Sequence, residues 1–251
     1  MPNSHLIIGH GPRKVIALHG WFGCAAGWGP LVDCLDVNEF TYAFMDYRGY
    51  GQSKSLTGEY SMSEIASDTL ALADHLGWAE FNLVGHSMGG MAIQRVLLAA
   101  PARVQRMVAV TPVPATGVPF DEATWGMFSS AAANPPVRQG ILNYSTGGRL
   151  SAYWLSQMTE RSVAHSTEQA FAAYLNAWAK TNFAESITGN PVPIKVIVGE
   201  HDPSLTADVM RATYLAQYPN AELEIFSNAG HYPMDETPVA LATSIERFLA
   251  I

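Results

Sequence analysis

Apolar positions along the chain alternate between two periodicities. Short β-rich runs, Val15 to Leu18, Thr41 to Met45, Phe81 to Val84, Met107 to Val110, Ile194 to Val198 and Leu223 to Phe226, carry few polar interruptions. Such runs read as strands buried on both faces, which predicts an α/β fold with a mostly parallel central sheet flanked by helices. Between them the spacing becomes helical. Ser61-Met62-Ser63-Glu64 is a capping-box pattern, and Ile65, Thr69, Leu72, Ala73 and Leu76 follow at helical intervals toward Gly77 as a stop. Thr237-Pro238 opens a last helix in a similar way, with Val239, Ala242, Ile245 and Leu249 predicted to share its apolar face.

The alternation breaks after Thr111-Pro112-Val113-Pro114 and resumes at Pro191-Val192-Pro193. Residues 116–190 are far too many for an ordinary αβ connection and should carry structure of their own. Ser166-Thr167-Glu168-Gln169 is a further capping pattern, followed by an apolar stripe of Phe171, Tyr174, Leu175 and Trp178 that serves mainly as core. The expected division is a core formed by residues 1–115 and 191–251, with 116–190 a helical cap over the C-terminal edge of the sheet.

Composition narrows the function. Of 251 residues, 48% are hydrophobic and 14% charged, enough to bury a large core. The net charge of −8, with no Lys/Arg cluster, opposes nucleic acid and anionic membrane surfaces as partners. No basic leader precedes the short apolar run Leu6 to Ile8, and no stretch of about 18 apolar residues is present, so a cytoplasmic location is expected. Cys24 and Cys34 make no disulfide framework and no metal-spaced pair; both read as buried apolar groups. No cofactor or metal is called for.

The chemistry concentrates at Gly85-His86-Ser87-Met88-Gly89, a G-x-S-x-G pattern between the strand Phe81 to Val84 and a helix from Met91 to Ala100. A serine on such a strand-to-helix turn is exposed above the sheet edge. Its hydroxyl needs a base to remove its proton and a carboxylate to orient that base. Among eight histidines, His231 in Asn228-Ala229-Gly230-His231 lies between the last strand and the last helix and is the candidate base. His19 and His86 sit at other strand ends and His201 adjoins an aspartate, while His5, His10, His75 and His165 belong to no motif. Asp202, after the strand Ile194 to Val198, is the candidate carboxylate, with Glu200 second. Asp46 precedes a glycine-containing turn ending at Ser53 that lacks a phosphate-loop pattern and reads as structural.

Taken together, His19-Gly20 with Trp28 downstream, the Asp46 to Ser53 turn, the Gly85 to Gly89 elbow, Asp202 and Gly230-His231 resemble the α/β-hydrolase fold family over nearly the whole chain. The resemblance implies a Ser87, Asp202, His231 triad and an oxyanion hole formed by the backbone N–H groups of Trp21 and Met88. The serine excludes the aspartate-nucleophile branch, and the absence of H-G-G-G places the chain nearer to the small single-H-G members. The expected activity is hydrolysis of a small-molecule carboxylic ester or lactone. Carbon-carbon bond hydrolysis, cofactor-free perhydrolysis or haloperoxidation, and ligand reception in a hydrolase-like pocket are alternatives. Carbon-carbon hydrolysis would need a cation for a substrate carboxylate, for which the cap offers Arg138, Arg149, Arg161 and Lys180. Trp154 and Trp178 are candidate specificity residues.

Overall fold

The computed structural model describes residues 2–251. Its strands are β1 (His5–Gly9), β2 (Arg13–Leu18), β3 (Phe40–Met45), β4 (Phe81–His86), β5 (Val104–Val110), β6 (Ile194–Gly199) and β7 (Ala221–Phe226). They form a seven-stranded sheet in the order β1-β3-β2-β4-β5-β6-β7. All neighbours are parallel except β1, which runs antiparallel to β3 with His5 opposite Met45. Every residue of β3 and β4 is buried, the physical reason their sequences are so apolar. β1 was not anticipated. It is a short edge strand whose Leu6 and Ile7 stay exposed, so its pattern carries little of the burial signal that marks the others.

The helices are α1 (Met62–His75), α2 (Met88–Ala99), α3 (Glu122–Ser130), α4 (Pro135–Ser145), α5 (Ala152–Ala164), α6 (Glu168–Lys180), α7 (Ala184–Ile187), α8 (Ala207–Ala212), α9 (Tyr214–Gln217), α10 (Pro233–Glu236) and α11 (Pro238–Leu249). Ser61 caps α1 by accepting the Glu64 N–H at 3.1 Å. The Glu64 carboxylate accepts the N–H groups of Glu59 and Tyr60, so the box is completed one and two residues upstream of the cap. In α11 three of the four expected residues, Ala242, Ile245 and Leu249, share the buried face, and Val239 does not. Val239 is exposed, and Leu241, Ala242, Ile245, Phe248 and Leu249 meet the core. Val239 stands about a third of a turn away from the centre of that stripe, on the solvent side.

Five helices, α3 to α7, separate β5 from β6. Thr167 caps α6 by accepting the Ala170 N–H at 3.1 Å, and Phe171, Tyr174, Leu175 and Trp178 are all buried. Arg138 of α4 is buried with no carboxylate partner. Its guanidinium donates to the carbonyls of Ala131 and Ala132 and the hydroxyls of Ser162 and Ser166, and lies 3.6 Å from the centre of the Phe171 ring. This cation therefore ties α4, α5 and α6 together. Among the described residues no helix is long and apolar enough to cross a membrane.

Candidate active site

Parallel strands deliver their C-terminal ends to one edge of the sheet, so residues distant in sequence meet there. Ser87 follows β4, the middle strand. Its backbone has φ 54° and ψ −118°, a left-handed conformation costing a non-glycine residue about 1–3 kcal/mol. The strain is held by three backbone hydrogen bonds. The Ser87 N–H donates to Val110 at 3.0 Å, and its carbonyl accepts from Gly90 at 2.8 Å and Val113 at 2.9 Å. Close approach requires glycine nearby: a Cβ on Gly89 would lie 2.1 Å from the Leu18 carbonyl oxygen, and one on Gly85 2.3 Å from that of Gly89. α2 starts at Met88, earlier than the apolar spacing suggested, because the elbow turns directly into it.

His231 Nε2 lies 2.9 Å from Ser87 Oγ, and His231 Nδ1 lies 2.6 Å from Asp202 Oδ2. The other carboxylate oxygen, Oδ1, accepts the N–H groups of Ser204 and Leu205 at 2.9 and 3.0 Å. Burial alone would raise the Asp202 carboxyl, but the His231 ring and the two backbone donors outweigh it and hold the group below the ordinary carboxylate range. Glu200, the second choice, is exposed and outside this relay. The carboxylate accordingly keeps Nδ1 protonated and leaves Nε2 free to accept from the serine.

The loop carrying His231 is fastened on all sides. Its carbonyl accepts from His86 Nε2 at 2.8 Å and Thr111 Oγ1 at 3.0 Å. Its N–H donates to the Ser145 carbonyl at 3.2 Å. The neighbouring N–H groups of Gly230 and Tyr232 both donate to Glu236 Oε1, at 2.9 and 3.2 Å. Sequence reasoning missed these supports. His86 adjoins the serine, but nothing in its spacing shows a carbonyl reaching it from residue 231.

Burial pushes the His86 imidazole well below its usual range, reinforced by nearby His231, so it is neutral. Burial likewise lowers His19 to about 4 against smaller opposing effects of the Gly20 carbonyl and Asp46. Neutral His19 is satisfied, Nδ1 donating to Gly20 at 2.8 Å and Nε2 facing the Tyr47 N–H at 3.4 Å. Asp46 has a structural role, accepting the N–H groups of Ala25 and Gln52. Cys24 is buried, which raises its thiol to about 11 and keeps it protonated, while Cys34 is half-buried instead of fully enclosed.

Above Ser87 opens a cavity with about 80 Å³ of free space, walled chiefly by Trp21, Phe22, Phe120, Phe128, Ile141 and Trp178, with Tyr144 and Ser145 also contributing. No arginine or lysine lines it. Trp154 lies outside it and packs against Tyr232, ring centres 5.4 Å apart. Gly20 abuts Ser87, since a Cβ there would come within 3.0 Å of Ser87 Cβ, which places the following residue, Trp21, beside the hydroxyl. Among the described residues neither the Trp21 nor the Met88 N–H donates a hydrogen bond, and Met88 opens α2, where such groups lack an intrahelical acceptor. Among the described residues there is no cluster of three or more His, Cys, Asp or Glu able to hold a metal.

Comparison with known proteins matches this architecture. The chain is 27% identical over 246 residues to a 2-hydroxy-6-oxononadienedioate/2-hydroxy-6-oxononatrienedioate hydrolase of Burkholderia vietnamiensis, covering 89% of this chain and 82% of the relative. The structure superimposes on the bromoperoxidase of Bacillus anthracis with a TM-score of 0.87 at 19% identity, over 98% of this chain and 95% of the other. An esterase from Exiguobacterium antarcticum gives a TM-score of 0.86 at 18% identity, over 98% and 95%. Relatives of this one shape thus bear the names of three different activities. The family profile of the alpha/beta hydrolase fold matches residues 14–238, and the chain belongs to that family.

Proposed function

We propose that this protein is a serine hydrolase that cleaves a neutral carboxylic ester or lactone through an acyl-Ser87 intermediate. The observation that carries the reading is the continuous relay from Asp202 through His231 to Ser87 at the floor of an apolar cavity. His231 Nε2 takes the hydroxyl proton as Ser87 Oγ attacks the carbonyl carbon. The tetrahedral intermediate collapses as the same nitrogen returns the proton to the leaving alkoxide oxygen. Water then enters and gives one proton to His231 as its oxygen adds to the acyl carbon; the acyl–Oγ bond breaks, His231 returns the proton to Ser87 Oγ, and the acid is released.

The Trp21 and Met88 N–H groups are the proposed oxyanion donors. Both are uncommitted and adjoin the nucleophile, and a donor so placed contributes about 3 kcal/mol to the transition state. The helical insertion acts as a cap, because Phe120, Phe128, Ile141 and Trp178 come from it.

The walls favour an ester over the substrate named for the Burkholderia relative, whose dioate carries two carboxylates. Here none of the insertion's four cations, Arg138, Arg149, Arg161 and Lys180, lines the cavity, and three of them are engaged elsewhere. Arg138 is buried among carbonyls and hydroxyls, Arg149 pairs with Glu236 at 2.7 Å, and Lys180 lies 3.8 Å from the centre of the Trp125 ring. An unpaired carboxylate in such a cavity would carry a desolvation penalty with nothing to offset it.

A fluorophosphonate probe should label Ser87, and a panel of simple esters should show multiple turnover. Labelling without turnover would make the pocket a receptor. Peroxide-dependent bromination at rates exceeding hydrolysis would assign the activity to perhydrolysis.

A further inference from the structure

The insertion reaches beyond the cavity wall to the residues that carry the base and the acid. Beside Trp154, which packs on Tyr232, most of these contacts come from one short stretch, Ser145 to Arg149, at and after the C-terminal end of α4. The Ser145 carbonyl accepts the His231 N–H. Thr146 packs so tightly on Gly230 that a Cβ on that glycine would lie 2.8 Å from Thr146 Cα. A Cβ on Gly147, whose φ is +68°, would lie 2.9 Å from the carbonyl oxygen of His201, the residue before Asp202. Arg149 donates to Glu236 Oε2 at 2.7 Å and to the Asn228 carbonyl at 3.3 Å.

Glu236 completes the connection. Its side chain is only 2% exposed, and Oε1 accepts the two N–H groups that flank His231, those of Gly230 and Tyr232. Arg149 provides the only cation within salt-bridge distance of this carboxylate among the described residues. A buried carboxylate stays where its hydrogen-bond partners and counter-charge hold it. Moving Arg149 away would therefore release the group that fixes both peptide units beside the base.

We infer that Arg149 and Glu236 are positioning residues that align the His231 imidazole, so that docking of the insertion completes the support of the base. The inference rests on the proposed role of His231 as base. Neither side chain lines the cavity; both act through the backbone of residues 228 to 232. Were the insertion to lift, the Ser145 carbonyl and Arg149 would leave together; Asp202, His86 and Thr111 would still hold His231, but Glu236 would lose its counter-charge and the brace on the two neighbouring peptide units would loosen. A cavity open to water would then hold a less precisely aligned base, which limits idle turnover.

The test is Arg149→Met beside Arg149→Lys, with Glu236→Gln as a second route. Each is read by ester kinetics, by the rate of fluorophosphonate labelling and by melting temperature. A small misalignment of a reacting group is costly, so Arg149→Met should lower kcat and the labelling rate by about tenfold. KM should stay within about twofold, the signature of an interaction that serves the chemical step. Arg149→Lys should recover part of the loss. Glu236→Gln keeps an oxygen for Gly230 and Tyr232 but loses the ion pair, and should fall between the parent and Arg149→Met.

A readout independent of turnover is the downfield proton resonance of the His231 Nδ1–H bound to Asp202. It should broaden in Arg149→Met through faster exchange with water. Unchanged kcat, labelling rate and resonance, with loss confined to melting, would overturn the inference, as would a rise in KM at constant kcat. If the parent protein showed no ester turnover and no labelling, the proposed function would fail, and the resonance would still decide whether Arg149 orders the base.

Discussion

The nucleophile elbow and the helical insertion meet across the same cavity but are held in different ways. At the elbow, α2 buries nine of its twelve residues, and Ser87 is gripped by three backbone hydrogen bonds from β5, the loop after it and its own helix. In the insertion, α3 buries none of its nine residues fully, and Phe128 and Trp125 are only half-buried. The elbow thus depends on backbone packing that admits no added atom, whereas α3, at the outer side of the insertion, rests on half-buried side chains. Rigidity belongs where Ser87 must be held strained, and looser packing suits a cavity wall such as Phe128.

The sharpest way to break this contrast is to remove chemistry from the rigid side. Ser87→Ala should lower ester turnover by at least about 10³-fold and abolish covalent labelling while melting changes little, since the hydroxyl fills almost no core. Turnover within tenfold of the parent would assign the nucleophile elsewhere.

On the other side, Trp178→Ala deletes a large side chain that is both buried and part of the cavity wall. It should cost about 3–5 kcal/mol of stability and also shift relative rates toward bulkier acyl groups. Trp154→Ala should leave relative rates across the same ester series unchanged, because Trp154 lies outside the cavity. Identical shifts in both variants would mean that the walls do not select substrate.

Acid attacks the sheet edge through its neutral histidines. His19 is lowered to about 4 in the folded protein by burial, against about 6.5 in the unfolded chain. As pH falls, the unfolded chain takes up the proton first. Stability is therefore full above about pH 6.5 and declines toward pH 4, by about 3 kcal/mol for this residue. His86, also held low, adds in the same direction. Melting followed from pH 8 to 4 should show this decline, and His19→Asn should flatten part of it. A parent profile already flat across that range would contradict the buried neutral assignment.

The smallest effects should have opposite signs in the two regions. Gly89→Ala drives a Cβ to 2.1 Å from the Leu18 carbonyl, and should destabilise by about 1–3 kcal/mol or displace the elbow. Gly126→Ala on α3 meets nothing within 4 Å and should stabilise by about 0.5–1 kcal/mol through helix propensity. Denaturant midpoints would show whether the two glycines differ in this way.

Much of the rigid half was legible from local pattern. The runs at Val15, Thr41, Phe81, Met107, Ile194 and Leu223 each fall within an observed strand, although several strands begin up to three residues earlier, where polar residues such as Arg13 and Glu222 continue the pairing. Buried strands announce themselves because two-sided burial demands apolar residues at consecutive positions. β1 escaped because an edge strand is under no such demand, and Val239 was misplaced because its orientation depends on how α11 docks.

The sequence by itself determined the α/β architecture and picked out Ser87, Asp202 and His231, because a strand-end residue in a parallel sheet has only one edge to occupy. Only the tertiary structure decided which aromatic side chains face the cavity, that Arg138 serves as a structural cation, and that Glu236 and Arg149 support the loop of His231. Those arrangements depend on how surfaces remote in sequence dock, and no local periodicity encodes the angle at which one helix lies upon another.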